Sequence, residues 1–159
     1  MPDSSVLVVD DHPVILRACG MVFEEAHAAV YCASDVEEGY RCFVANRPAV
    51  VVADLTYRDG SLSGLALIAR IRALAPEARI LVFSMHDDPT VVARALAAGA
   101  TGYLLKDTTT SDLLAAFHRV RAGMLSIDHR LAIARREAMP HRFRQDIRQD
   151  TRHHTRSLS

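Results

Sequence analysis

The sequence predicts an α/β fold with a parallel sheet, on three observations. Short β-branched runs alternate with stretches of helical periodicity, and they do so five times in succession. The units share a rhythm but no residue pattern, which excludes a solenoid. Half of the 159 residues are hydrophobic, enough for one compact domain with a core and too many for a disordered or collagen-like chain.

Each unit is bounded in turn. The run SVLVVD places a first strand over 5–10, followed by a helix over 13–27. AVYCA gives a second strand over 29–33 and leads into a helix over 35–46. AVVVAD gives a third strand over 49–54, and Leu67, Ile68, Ile71 and Leu74 recur at helical spacing within 63–75. RILVFS marks a fourth strand over 79–84, followed by a helix over 89–98 that carries Val91, Val92, Ala95 and Leu96 on one side. Asp88 before Pro89 reads as an N-cap with proline at the first helical position, and Gly99 falls where that helix should stop. TGYLLK gives a fifth strand over 101–106, and a helix over 110–122 ends at Gly123.

Charge divides the chain in two. Residues 1–128 carry 11 basic and 16 acidic side chains (net −5), whereas residues 129–159 carry 8 and 3 (net +5). Residues 124–139 are expected to form one more short helix with a thin apolar face (Leu131, Ala134, Ala138), and 140–159 reads as a basic, disordered tail. The tail has Phe143 as its one aromatic and acids among its arginines, so it is taken as a solvated extension and not as a DNA-binding arm. Its histidines, with His129, show no helical ligand pair. No apolar run approaches the roughly 20 residues of a membrane helix, and the N-terminus lacks a secretory pattern, so a cytoplasmic protein is expected. Cys19, Cys32 and Cys42 are odd in number, lack C-x-x-C spacing and lie in apolar stretches, which predicts buried thiols.

In a parallel α/β sheet, ligands bind beyond the carboxyl ends of the strands. Here those ends carry Asp10 and Asp11, Asp54, Ser84 and Lys106. Three converging carboxylates need a cation, and Mg²⁺ suits them because it takes oxygen ligands and joins carboxylates to phosphate. A carboxylate attacking a phosphoryl group gives an acyl phosphate, and the remaining work is positioning and neutralisation. His12 reads as a surface residue, and His86, Asp87 and Asp88 as the start of the fourth helix.

VLVVDDHP at 6–13, VVVADLT at 50–56, ILVFSMHDD at 80–88 and AGATGYLLKD at 98–107 together resemble the receiver domain of two-component response regulators, over about residues 4–125. DDHP and GATGYLLKD bring it nearest to receivers of LuxR-type (NarL/FixJ-like) regulators, although no helix-turn-helix follows. The resemblance implies a flavodoxin-like (βα)5 doubly wound sheet of strand order 2-1-3-4-5, a receiver over 1–125, a linker helix over 126–139 and the tail beyond. It implies that Asp54 accepts a phosphoryl group from a sensor histidine kinase or phosphotransfer protein. Asp10, Asp11, Asp54 and the backbone carbonyl of Thr56 would hold Mg²⁺, Ser84 and Lys106 would engage the phosphoryl oxygens, and Ser84 with Tyr103 would form the switch. The output face would comprise the fourth helix, fifth strand and fifth helix, with a phosphorylation-dependent homodimer or heterodimer through it.

The pattern departs from the family at Tyr57-Arg58, which stand where Met-Pro is usual, and in a loop that reaches Gly64 ten positions after Asp54. Two rival readings accompany the switch. One is a LuxR-type transcription regulator truncated before its DNA-binding domain, with the linker helix as its remnant. The other is an aspartyl-phosphate-forming phosphatase, which wants a second aspartate where Thr56 stands.

Overall fold

The structure is a computed structural model that describes residues 4–131. In chain order the elements are β1 (Ser5–Val9), α1 (Pro13–Glu25), β2 (Ala29–Ala33), α2 (Val36–Asn46), β3 (Val50–Ala53), α3 (Ser63–Leu74), β4 (Ile80–Ser84), α4 (Pro89–Ala98), β5 (Gly102–Leu105), α5 (Thr110–Arg121) and β6 (Ser126–Ile127), then a 3-10 turn at His129–Leu131. The strands form one parallel sheet of order β2-β1-β3-β4-β5-β6. The first five take the expected flavodoxin-like order, and the sixth extends it.

Strands β1, β3, β4 and β5 are buried along their whole length because helices cover both faces. Alternate side chains go to opposite sides. Val6, Val8, Val50, Val52, Leu81 and Phe83 pack with Cys19 and Phe23 of α1 and with Leu113 and Phe117 of α5. Leu7, Val9, Val51, Ile80 and Val82 pack with Phe43 of α2, Leu67, Ile68 and Ile71 of α3, and Val92 and Ala95 of α4. The Phe23 and Phe117 rings, 4.9 Å apart, tie α1 to α5. Helix starts follow the sequence signals: Asp88 accepts from Thr90 N–H at 2.8 Å ahead of Pro89, and Asp35 does the same for Glu38 at 2.8 Å. Gly99, at φ 122°, ends α4 in a conformation that side chains resist.

Two expectations are corrected. Of the three thiols only Cys19 is buried; Cys42 is half-buried and Cys32 is exposed, because β2 is an edge strand whose outer positions face solvent. Burial, reinforced by the nearby Asp10 charge, pushes the Cys19 thiol up to about 12.

The second correction concerns the linker helix. Gly123, at φ 83°, ends α5, and residues 126–127 run as β6 beside β5, with Gly102 opposite Ser126 and Tyr103 opposite Ile127. The physical reason is the outer edge of β5, whose buried backbone groups need partners. Asp128 completes the pairing: its N–H donates to the Tyr103 carbonyl at 2.8 Å, and its Oδ2 accepts from Leu105 N–H at 3.1 Å. The rest of the expected helix (132–139) and the tail (140–159) lie outside the described residues.

Burial alone would raise the pKa of Asp128, but hydrogen bonds from Arg130 and from the Leu105 and Arg130 N–H groups outweigh it and hold the carboxyl down to about 2, against its ordinary 3.8. A depressed carboxyl pKa stabilises the fold above the unfolded value, and that contribution is lost as pH falls through the folded one. Denaturant midpoints of the wild type should therefore fall between about pH 4 and pH 2, and Asp128→Asn should flatten that limb. Parallel slopes for the two proteins would refute the prediction. Among the described residues, no helix is long and apolar enough to cross a membrane.

Candidate functional site

Strands β1 and β3 are neighbours whose chains leave toward opposite sides of the order, so a crevice opens beyond their carboxyl ends. Asp10 and Asp11 follow β1, Asp54 follows β3, and Lys106 follows β5. Lys106 Nζ stands 2.7 Å from Asp10 Oδ2 and 2.8 Å from Asp54 Oδ2, bridging the two strands. All three side chains are almost wholly buried, at 5%, 1% and 5% exposure, so water does little to screen them. Burial by itself would lower the ammonium pKa, but hydrogen bonds and charge attraction to Asp10 and Asp54 overcome it and raise it.

The second oxygens are also engaged. Asp54 Oδ1 accepts from Leu55 N–H at 2.7 Å. Asp10 Oδ1 accepts from the His12 N–H at 2.9 Å and lies 2.8 Å from His12 Nδ1. Asp11 differs: its Oδ1 is buried with no hydrogen bond, although His12 Nδ1 lies 3.2 Å away. Three carboxylates against one ammonium leave a net charge of about −2, the deficit that a divalent cation closes. Oxygens of Asp10 and Asp54 and a ring nitrogen of His12 lie within 4.8 Å of one another. The orphaned Asp11 oxygen and the carboxylate oxygens of Asp10 and Asp54 fit Mg²⁺.

A cavity of about 530 Å³ opens over the carboxylates, lined by Asp11, His12, Asp54, Thr56, Met85, His86 and Lys106 among others. Ser84 is fully buried at the end of β4, where its Oγ accepts from His86 N–H at 3.1 Å. The Thr56 hydroxyl meets His86 Nε2. Tyr103 is also fully buried, with its ring inward and its hydroxyl donating to the His86 carbonyl at 2.7 Å. Burial pushes its phenol up to about 12, an effect that the Ser84 hydroxyl opposes.

Asp10, Asp54 and Lys106 thus touch directly, Asp11 and Thr56 line the same cavity, and Ser84 and Tyr103 stand behind it around His86. Sequence reasoning, which gave His86 at most a part in tuning access to the phosphate, missed the contacts that two residues make. His86, read as a helix start, is the piece on which Thr56, Ser84 and Tyr103 converge; it stands three positions before α4, outside the helix. His12 is exposed as expected, at 62%, yet grips Asp10 through both ring and backbone.

The altered loop after Asp54 is anchored from inside. The Tyr57 hydroxyl donates to the Val9 carbonyl at 3.1 Å, and its ring is buried in the core. Burial, with Asp54 and the other carboxylates adding to it, raises the phenol above its ordinary value. Beyond it, Gly60 N–H donates to the Tyr57 carbonyl at 2.8 Å, and Ser61 donates twice to Asp59. Tyr57→Phe should lower unfolding free energy by about 1 kcal/mol, the worth of one buried hydrogen bond. An unchanged denaturant midpoint would show that the hydroxyl anchors nothing.

Comparison with known proteins agrees with this geometry. The family model described as "Response regulator receiver domain" matches residues 6–118. The chain is 37% identical over 129 residues to the methanol utilization control regulatory protein MoxX of Paracoccus denitrificans, an alignment covering 80% of this chain and 58% of that protein. It is 31% identical over 145 residues to the oxygen regulatory protein NreC of Staphylococcus haemolyticus, covering 89% of this chain and 66% of that one. The chain therefore spans less than two thirds of the length of these relatives. Among solved structures, a LuxR-family two-component response regulator from Aurantimonas sp. SI85-9A1 superposes with a TM-score of 0.75 at 31% identity, covering 82% of this chain and 93% of that one.

Proposed function

The chain belongs to the response regulator receiver domain family, and from that premise we propose that it is a cytoplasmic phosphoacceptor switch of a two-component relay, loaded on Asp54 by a sensor histidine kinase or phosphotransfer protein. Such domains are signalling switches and not turnover enzymes. The observation that carries the reading is the buried Lys106 ammonium bridging Asp10 and Asp54 beneath an open cavity.

Each residue then has a task. An Asp54 carboxylate oxygen attacks the donor's phosphorus; the P–O bond forms as the donor's P–N bond breaks, and the leaving imidazole keeps the electron pair and takes up a proton. No base is needed, because the nucleophile is already ionised. Asp10, Asp11 and Asp54, with the backbone carbonyl of Thr56, would hold Mg²⁺, which when bound neutralises the transferred oxygens. Lys106 is buried between Asp10 and Asp54, so its charge already stands beside the acceptor when the phosphoryl group arrives. Ser84 offers its O–H to a phosphoryl oxygen at the end of β4. Drawing Ser84 forward moves the His86 N–H bonded to it, and with it the carbonyl that Tyr103 holds. That route leads from the pocket to the surface of α4, β5 and α5, where we place output by protein contact, as a homodimer or with a related regulator. Regulation of DNA would fall to a separate domain, as in LuxR-type relatives.

The test has two parts. With Mg²⁺ and a small acyl-phosphate donor, the chain should gain the mass of one phosphoryl group, and with Mg²⁺ and beryllofluoride its light-scattering mass should rise from monomer to dimer. No mass gain and no beryllofluoride uptake would overturn the phosphoacceptor reading, and uptake without dimerisation would overturn homodimer output.

A further inference from the structure

Lys106 is gripped from the pocket, and the residues on either side of it are gripped by the segment that follows α5. Leu105 N–H donates to Asp128 Oδ2 at 3.1 Å, and the Asp107 carboxylate pairs with Arg130 at 2.8 Å. The two grips are joined, because Arg130 also holds Asp128, with Nε 3.0 Å from Oδ1 and a terminal nitrogen 2.8 Å from Oδ2. Asp128 is buried and carries four of these hydrogen bonds, the Arg130 N–H included, so it is the fixed half of the clamp. The Arg130–Asp107 pair is its soft half, since both side chains are well exposed, at 37% and 65%. A cavity of about 290 Å³, lined in part by Asp107, Asp112, Arg119 and Arg130, opens between the clamp and α5, while Arg119 Nε donates to Ser126 Oγ at 3.1 Å and Ile127 packs against the core, so the clamp's outer pair borders open space and the strand beneath it is anchored.

We propose that residues 126–130 form a latch on β5 that phosphoryl loading of Asp54 loosens, through the backbone of residues 105–107. The inference rests on the phosphoacceptor reading and extends it to the control of the chain beyond α5. Two sites pull the same three residues in opposite directions. In the unloaded pocket Lys106 is shared between two carboxylates. A phosphoryl group adds anionic oxygens on the pocket side and draws Lys106 toward them, while Asp107 and the Leu105 N–H are held on the other side. Coupling between two such sites is reciprocal. Loading weakens the latch, and weakening the latch favours loading. The two-state element is the segment 126–130, closed while Asp128 holds the Leu105 N–H and Arg130 holds Asp107, and open when both contacts part, the exposed Arg130–Asp107 pair first.

Hydrogen exchange on the full chain, with Mg²⁺ and with or without beryllofluoride, tests the first half. The Leu105 and Arg130 amides, both bonded to Asp128, should exchange about tenfold faster when loaded, while the Gly39 amide in α2 stays unchanged. The second half is read from beryllofluoride affinity: Asp107→Asn, a surface change that leaves Asp128 and its bonds to Arg130 in place, and Arg130→Gln, which also removes the guanidinium from Asp128, should each bind about fivefold tighter than wild type, with a denaturant curve confirming that each is folded. Uptake of beryllofluoride with unchanged or slower exchange at Leu105 and Arg130 would overturn the latch while the phosphoacceptor reading stands. Unchanged affinity in both variants would do the same. No uptake by the wild type would overturn the phosphoacceptor reading and the latch with it.

Discussion

Asp54→Ala is expected to take up no phosphoryl group from an acyl-phosphate donor under conditions in which the wild type takes one per chain, a loss to background. The variant should remain folded. Lys106 keeps Asp10 at 2.7 Å, so no buried cation is orphaned, and the site's charge falls from about −2 to about −1, which relieves carboxylate repulsion. Intact-mass analysis beside a denaturant curve checks both statements. Labelling retained in Asp54→Ala would move the acceptor elsewhere, and a loss of stability above about 3 kcal/mol would mean that the missing label reports unfolding. Lys106→Ala should behave in the opposite way: it strips two buried carboxylates of their cation and so should depend on added Mg²⁺ for stability.

The second large effect is at Gly64, in the first turn of α3. A Cβ there would lie 2.3 Å from the Asp54 carbonyl oxygen and 2.6 Å from Leu55 Cα. Both neighbours are backbone at the end of β3, so no rotamer change relieves the clash, and Gly64 N–H is itself bonded to the Leu55 carbonyl at 3.0 Å. Gly64→Ala should cost about 3 kcal/mol or more and shift Asp54, reducing its phosphorylation as well. Gly20→Ala provides the contrast. Nothing lies within 4 Å of its Cβ position in α1, and the exchange should stabilise the helix by roughly 0.5–1 kcal/mol. A Gly64→Ala protein with wild-type midpoint and labelling would show that β3 and α3 can part without harm.

These two predictions also mark where sequence and structure meet. The five βα units were readable because buried parallel strands are nearly continuous apolar runs and helices between them keep their 3.6 spacing, as in 50–53 and 67–74. Asp10, Asp11, Asp54, Ser84 and Lys106 were readable because strand ends point one way in a parallel sheet, so residues far apart in sequence must converge. Strand β6 was not. Two residues carry no periodicity, and what fixes them is the unpaired edge of β5 and one carboxylate, Asp128, standing in for a strand. The convergence on His86 was hidden for a similar reason: its contacts come from Thr56 beyond β3, Ser84 at the end of β4 and Tyr103 inside β5, and local sequence advertises only the nearby N-cap at Asp88. Nor does apolar context reveal which strand lies at an edge, which is why Cys32 proved exposed.

The anchored loop after Asp54 has a consequence for how this protein can change over generations. Doubling the length of a free loop costs only about 0.6 kcal/mol, less than the roughly 1 kcal/mol that the buried Tyr57 hydroxyl returns. Residue 57 is therefore a fixed post, while the exposed tip at 58–60 is bound by short-range turns to it and to no other core residue. Mutations at the tip can redraw the rim that a kinase or an attacking water meets without shifting the aspartate beneath it. Partner choice and signal lifetime are thus open to selection independently of the fold.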